Sequence, residues 1–133
     1  MDFEYKNIEI ASTPKTPYVG LNKDNGTIVI EGNSFPENAK DFYYQINRWL
    51  AEYSLNPAPK TTVNISLLYL NSSSVSVITG MMKLFDSMIS MKTTIEIIWS
   101  FEAGDEDMKE MGMYYQDMLN CPVQIIEEDK FDF

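Results

Sequence analysis

The stretch that decides the fold is Thr61-Thr62-Val63-Asn64-Ile65-Ser66-Leu67-Leu68-Tyr69-Leu70, followed by Asn71-Ser72-Ser73-Ser74. Its first ten residues carry too many β-branched and apolar side chains, and too few helix formers, to be anything but a strand buried on at least one face. The strand stops at four small polar residues. Beyond them Val75, Ile78, Met81, Met82, Phe85, Met88 and Ile89 recur at helical spacing as far as about Met91, so a helix begins where the strand ends. Strand, short polar junction and helix in that order are the opening of a β-α-β crossover.

The same punctuation extends in both directions. Downstream, Thr93-Thr94-Ile95-Glu96-Ile97-Ile98-Trp99 reads as a strand and Asp105 to Asn120 as a helix with Met108, Met111, Tyr115, Met118 and Leu119 inward; Pro122 to Ile126 reads as a last strand. Upstream, Ile8 to Ala11 and Pro17 to Leu21 look extended. Asn22-Lys23-Asp24-Asn25-Gly26 is a turn signal leading into Thr27-Ile28-Val29-Ile30, which together predict a hairpin. Asn33 or Ser34 is the expected cap of a first helix with Pro36 in its first turn and Glu37 near its positive end. That helix carries Phe42, Ile46, Trp49, Leu50 and Tyr53 on one face and ends before Pro57 and Pro59. The expected class is α/β: a mixed β-sheet in which an N-terminal β-hairpin is followed by alternating α and β elements. One domain spans residues 1–133, with a core from about 8 to 127 and an acidic C-terminal tail at 127–133.

Composition narrows the chemistry. The chain has 133 residues, 44% of them hydrophobic, enough for a core without covalent staples. It has 10 Lys+Arg against 20 Asp+Glu, a formal charge of −10, no His, and Arg48 as its single Arg. A polyanion is bound by releasing its counterions to Lys and Arg, so nucleic acid and anionic membrane surfaces are excluded as partners. Without histidine there is no Ser-His-Asp triad, His base or His-ligated metal. The lone Cys121 cannot form an internal disulfide and has no nearby cation to lower its pKa, so an inert thiol in a reducing, cytoplasmic setting is expected. Binding, with no cofactor, fits such a chain better than catalysis.

Three groups of residues could carry that function. Asn71 to Ser74 sit where a buried strand ends and a helix begins, the edge at which open α/β sheets build their sites from free backbone N–H groups. A hydroxyl there is exposed, and phosphorylation would add about −1.5 to −2 charges beside the helix terminus. The same residues are also what an ordinary cap and turn would use. The acidic run Glu102, Asp105, Glu106, Asp107 and Glu110 around Gly104 could hold Mg²⁺ or Ca²⁺, yet Met108 and Met111 break the alternating register such a loop needs, and acidic residues at a helix start are expected from the dipole alone. Of the nine methionines, eight lie between Met81 and Met118. Those at core spacing are packing, whereas Met82, Met91 and Met113 lie off the strongest stripes and could form an adaptable partner surface.

Three blocks in order carry a family resemblance: Gly32-Asn33-Ser34-Phe35-Pro36-Glu37-Asn38-Ala39 with Phe42-Tyr43 and Trp49-Leu50; Tyr69-Leu70-Asn71-Ser72-Ser73-Ser74; and Trp99-Ser100-Phe101-Glu102 with Asp105-Glu106-Asp107-Met108 and Glu110-Met111-Gly112. Across about Ile10 to Ile126 the chain resembles the SiaC family of bacterial regulatory phosphoproteins. The resemblance implies a STAS-like fold, similar to that of the anti-sigma-factor antagonists, and a non-enzymatic switch. It implies a dedicated protein kinase and a PP2C-type phosphatase as partners. It also implies an unmodified form that binds and activates a diguanylate cyclase in cyclic di-GMP and biofilm signalling. In the family motif the acceptor is a threonine directly after the asparagine. Ser72 holds that position, with Ser73 and Ser74 as alternative acceptors, and Asn71, Ser72, Ser73, Ser74 and Met82 are the expected partner-binding residues. Where family members often carry a lysine after the run, this chain has Val75-Ser76-Val77. Two other readings compete: an anti-sigma-factor antagonist in a partner-switching pathway, and a metal-dependent hydrolase using Asp105, Asp107 and Glu110.

Overall fold

A computed structural model describes residues 4–91 and 93–133. Three N-terminal strands, β1 (Ile8–Ile10), β2 (Tyr18–Asn22) and β3 (Thr27–Ser34), form an antiparallel meander. The expected turn at Asn22 to Gly26 joins β2 to β3, with the Asn22 side chain accepting from the Asp24 and Asn25 amides. Gly26 closes it at φ +70, where an added Cβ would collide with the Lys60 carbonyl and the Tyr53 hydroxyl.

From β3 onward the chain alternates: α1 (Ala39–Leu55), β4 (Lys60–Leu70), α2 (Ser72–Ser87), a 3₁₀ turn (Met88–Met91), β5 (Thr94–Glu102), α3 (Glu106–Met118) and β6 (Val123–Glu128). The six strands lie in chain order, and β3 to β6 are parallel. Each crossover steps one strand in the same direction, so right-handed connections put all three helices on one face. The sheet's other face is free of helices. Alternation along the strands follows: Ile28 and Ile30, Val63, Ile65 and Leu67, and Ile95, Ile97 and Trp99 are buried toward the helices, where they meet Ile46, Trp49, Ile78, Phe85 and Tyr115. Each such side chain contributes roughly 1.5–3 kcal/mol by leaving water. At Gly112 helix α3 comes close to the sheet: an added Cβ would stand 2.5 Å from Trp99 Cδ1.

Several expectations are corrected by packing. Asn33 and Ser34 do not cap α1: a register shift between Gly32 and Asn33 carries β3 on to Ser34, and Pro36 lies in the connection. Asn38 is the cap instead, accepting from the Asp41 amide at 3.2 Å. Helix α2 gives way to the 3₁₀ turn before Met91, where the Ser87 and Ser90 hydroxyls donate back to the carbonyls of Leu84 and Ser87. Met82 is fully buried, because α2 turns it toward the core, so it presents no surface to a partner. Glu127 and Glu128 belong to β6, and Phe131 beyond them is buried. No helix among the described residues is long and apolar enough to cross a membrane.

Candidate functional site

All three helices start at the edge where the parallel strands end, and α2 is the one entered without a loop. Asn71 alone separates Leu70 of β4 from Ser72 of α2. Its backbone N–H donates to the Ser34 carbonyl at 3.0 Å and its Nδ2 to the Pro36 carbonyl at 3.2 Å, while Oδ1 accepts from the Ser74 amide at 2.9 Å. One asparagine therefore caps the helix and ties it to the β3–α1 connection.

The three serines separate sharply. Ser74 is fully buried, and its Oγ accepts from Ser34 Oγ at 2.8 Å; Ser34 Oγ also meets the Tyr43 hydroxyl at 2.7 Å. Burial pushes the Tyr43 phenol up to about 12 despite the Ser34 hydrogen bond, so it stays neutral. Ser74 as an alternative acceptor or contact residue is thus corrected: a kinase would have to unwind the first turn of α2 to reach it. Ser73 is exposed, with its hydroxyl donating to Asn71 Oδ1 at 3.3 Å. Ser72 is exposed at the first helical position, and no side chain among the described residues takes up its hydroxyl. A phosphate there would sit beside unpaired N–H groups of the first turn, in the part of the helix field that favours negative charge.

The residues flanking this edge were less legible. Tyr69 is 55% exposed and meets Phe35 edge-on with ring centroids 5.3 Å apart, so two aromatics flank the cap asparagine. Their signal in the sequence is only that both sit inside the motif blocks. A shallow cavity of about 250 Å³ on the same edge is lined by Leu68, Tyr69, Leu70, Asp105, Asp107 and Met111 among others, placing carboxylates beside the apolar shoulder. Met91 and Met113 are exposed.

The acidic segment resolves into helix capping. Asp105 is the N-cap of α3, its carboxylate accepting from the Met108 amide at 3.1 Å, and Glu106 and Asp107 occupy the first turn. Among the described residues no group of three or more His, Cys, Asp or Glu converges as metal ligands. The hydrolase reading built on Asp105, Asp107 and Glu110 is therefore corrected: one carboxylate is committed to the backbone and the three do not gather. Cys121 is buried, and burial followed by the neighbouring Asp86 carboxylate pushes its thiol up to about 12, far from a reactive thiolate.

Comparison with known proteins places this geometry. The chain is 21% identical over 124 residues to an uncharacterised protein of Pseudomonas aeruginosa strain UCBPP-PA14, spanning 93% of this chain and 98% of that protein. Its fold matches apo-SiaC of Pseudomonas aeruginosa with a TM-score of 0.80 at 19% identity, covering 91% of this chain and 98% of that one. It also matches SiaC in the crystal structure of the diguanylate cyclase SiaD in complex with its activator SiaC, with a TM-score of 0.84 at 21% identity over 91% of this chain and 99% of that one. Residues 10–128 match the SiaC family regulatory phosphoprotein, so the mixed sheet, its three crossover helices and the exposed serine junction are those of a chain that belongs to the SiaC family.

Proposed function

We propose that this chain is a non-enzymatic phosphoswitch in which the Ser72 hydroxyl is the acceptor and the unmodified form binds and activates a diguanylate cyclase. The observation that carries it is the contrast within the junction. Ser72 is exposed at the first position of α2, while Ser74 is sealed under Ser34 and Tyr43. Membership of a regulatory phosphoprotein family and the SiaD–SiaC complex support the same reading. A dedicated kinase would write the phosphate and a PP2C-type phosphatase remove it, in the cytoplasm.

The switch is one of surface exchange. Without phosphate, the edge formed by Asn71, Ser72 and Ser73 with the Tyr69 shoulder is uncharged and can be desolvated against a partner. With phosphate, about two negative charges occupy the same spot on a chain already at −10. A loss of about 3 kcal/mol lowers affinity more than a hundredfold, within reach of desolvation and like-charge repulsion. The test is calorimetric titration of the diguanylate cyclase from the same genome with wild type, Ser72→Ala and Ser72→Asp. The Ala variant is expected to bind like wild type and the Asp variant more than about a hundredfold weaker. An Asp variant that binds as well as wild type sinks the switch at this residue, and a phosphate mapped to Ser73 in protein from its host moves it.

A further inference from the structure

The helix-free face of the sheet is not bare. By alternation it carries Ser66 and Leu68 of β4, Ile98, Ser100 and Glu102 of β5, and Ile126 of β6. Ser100 is only 6% exposed although it points away from every helix. Phe131, 7% exposed, is buried yet stands outside the continuous core between sheet and helices. The Phe131 amide donates to the Glu102 carboxylate at 2.8 Å, and its ring stacks on Phe133 with centroids 5.0 Å apart and planes 16° apart. Phe133 in turn borders a cavity of about 150 Å³ shared with Tyr18, Glu31, Asn33 and Leu68. After leaving β6 the tail therefore crosses β5 and reaches over β4 toward β3 and β2. These residues lie beyond the family match, which ends at 128.

The hold on this segment is slight. Among the described residues one hydrogen bond and two rings fasten it, it adds no strand to the sheet, and Phe133 remains 52% exposed. Segments with few buried contacts open locally at small free-energy cost. We propose that Asp129–Phe133 is a releasable strap, and that its seat is a docking groove for an extended segment of a partner protein with two aromatic side chains two residues apart. The strap is the groove's occupant in cis and defines the chemistry the groove accepts. A partner segment of that kind gains the site by displacing it.

A full-length chain carrying Phe131→Ala and Phe133→Ala tests this against a synthetic peptide of residues 128–133, followed by backbone-amide NMR. The tethered strap competes at an effective concentration on the order of millimolar, so the peptide is titrated to about the same range. The Leu68, Ser100 and Glu102 amides of the double variant are expected to shift, at least about tenfold more sensitively than in wild type, where the seat is filled. A peptide with both phenylalanines replaced by alanine is expected to do nothing. No shift in the folded double variant, an equal response in wild type, or self-association of the variant without peptide would each overturn the proposal. Hydrogen exchange on the wild type gives a check without substitution: the Phe131 amide is expected to exchange faster than that of Trp99, and equal protection would make the tail a fixed part of the fold.

Discussion

The two ends of β4 carry the same chemistry with opposite outcomes. At its start the Ala58 amide donates to the Tyr53 hydroxyl, 3.1 Å away, Tyr53 meets Thr61 at 2.7 Å, Thr61 meets Thr93 at 2.9 Å, and Thr93 donates to the Ala58 carbonyl at 2.6 Å. Because Thr93 gives its proton to the carbonyl, Thr61 must donate to Thr93 and Tyr53 to Thr61, so the chain of hydroxyls closes on the residue where it began. At the other end Tyr43 meets Ser34, and Ser34 donates to Ser74 in the first turn of α2, two residues from exposed Ser72. A buried tyrosine of α1 anchors each chain. The closed one locks the loops at the strand starts, whereas the open one ends at a helix terminus and leaves two serine hydroxyls outside it. The difference teaches where a modification can enter without unfolding the core: beside a buried network, not within it.

The largest effects that could break this comparison come from the two hubs. Ser34→Ala leaves the Tyr43 hydroxyl without its acceptor and Ser74 without its donor, and is expected to cost about 2–4 kcal/mol in urea unfolding, with weaker partner binding because the α2 start loosens. Thr61→Val, near-isosteric at the other end, is expected to cost about 1–3 kcal/mol by opening the closed ring. It should leave partner binding of the folded protein unchanged. If Thr61→Val weakens binding as much as Ser34→Ala does, the two ends are energetically coupled and the distinction between them fails.

Much of this was legible in the sequence because it is local. The order of elements followed from β-branched runs and 3.6-residue stripes, and the junction at Asn71 to Ser74 stood out because four small polar residues sit where a strand ends and a helical stripe begins. What was not legible depends on pairing across the chain. Ser34 looked like a helix cap, since nothing near it in sequence reveals that a register shift against β4 carries β3 through it into the interior. Met82 was open to two readings because adjacent Met81 and Met82 cannot be separated by stripe alone, yet both turn inward. Phe131 and Phe133 alternate with charged residues over too short a run to predict a strand, and Phe131 shows its burial only once Glu102 and the outer face of β5 are in place.

A smaller effect sharpens the comparison at the cap itself. Asn71→Ala removes the acceptor of the Ser74 amide and the donor to Pro36, and is expected to cost about 1 kcal/mol, within the usual range for an N-cap. Amide exchange should rise at Ser74 and Val75 while Thr61 and Thr93 at the closed end keep their protection. Uniform loss across both ends would mean that α2 and the strand starts open together.

The smallest effect concerns the far end of α2. Asp86 sits in its last turn, where the dipole disfavours a carboxylate. It is held there by hydrogen bonds from the Cys121 amide at 2.8 Å, the Asn120 amide at 2.9 Å and Asn120 Nδ2 at 3.2 Å. Burial alone would raise its pKa, but the bonds from Cys121 and Asn120 outweigh it and hold the carboxyl below its ordinary value of 3.8. A group whose pKa is depressed on folding stabilises the protein fully above the unfolded value and loses that contribution as pH falls through the folded one. Wild type should therefore lose melting temperature below about pH 4 more steeply than Asp86→Asn, which keeps an oxygen for both amides but does not titrate. Above about pH 5 the variant should melt slightly below wild type, because the charge strengthens those bonds. Parallel curves for the two proteins across this range would show that Asp86 contributes no pH dependence.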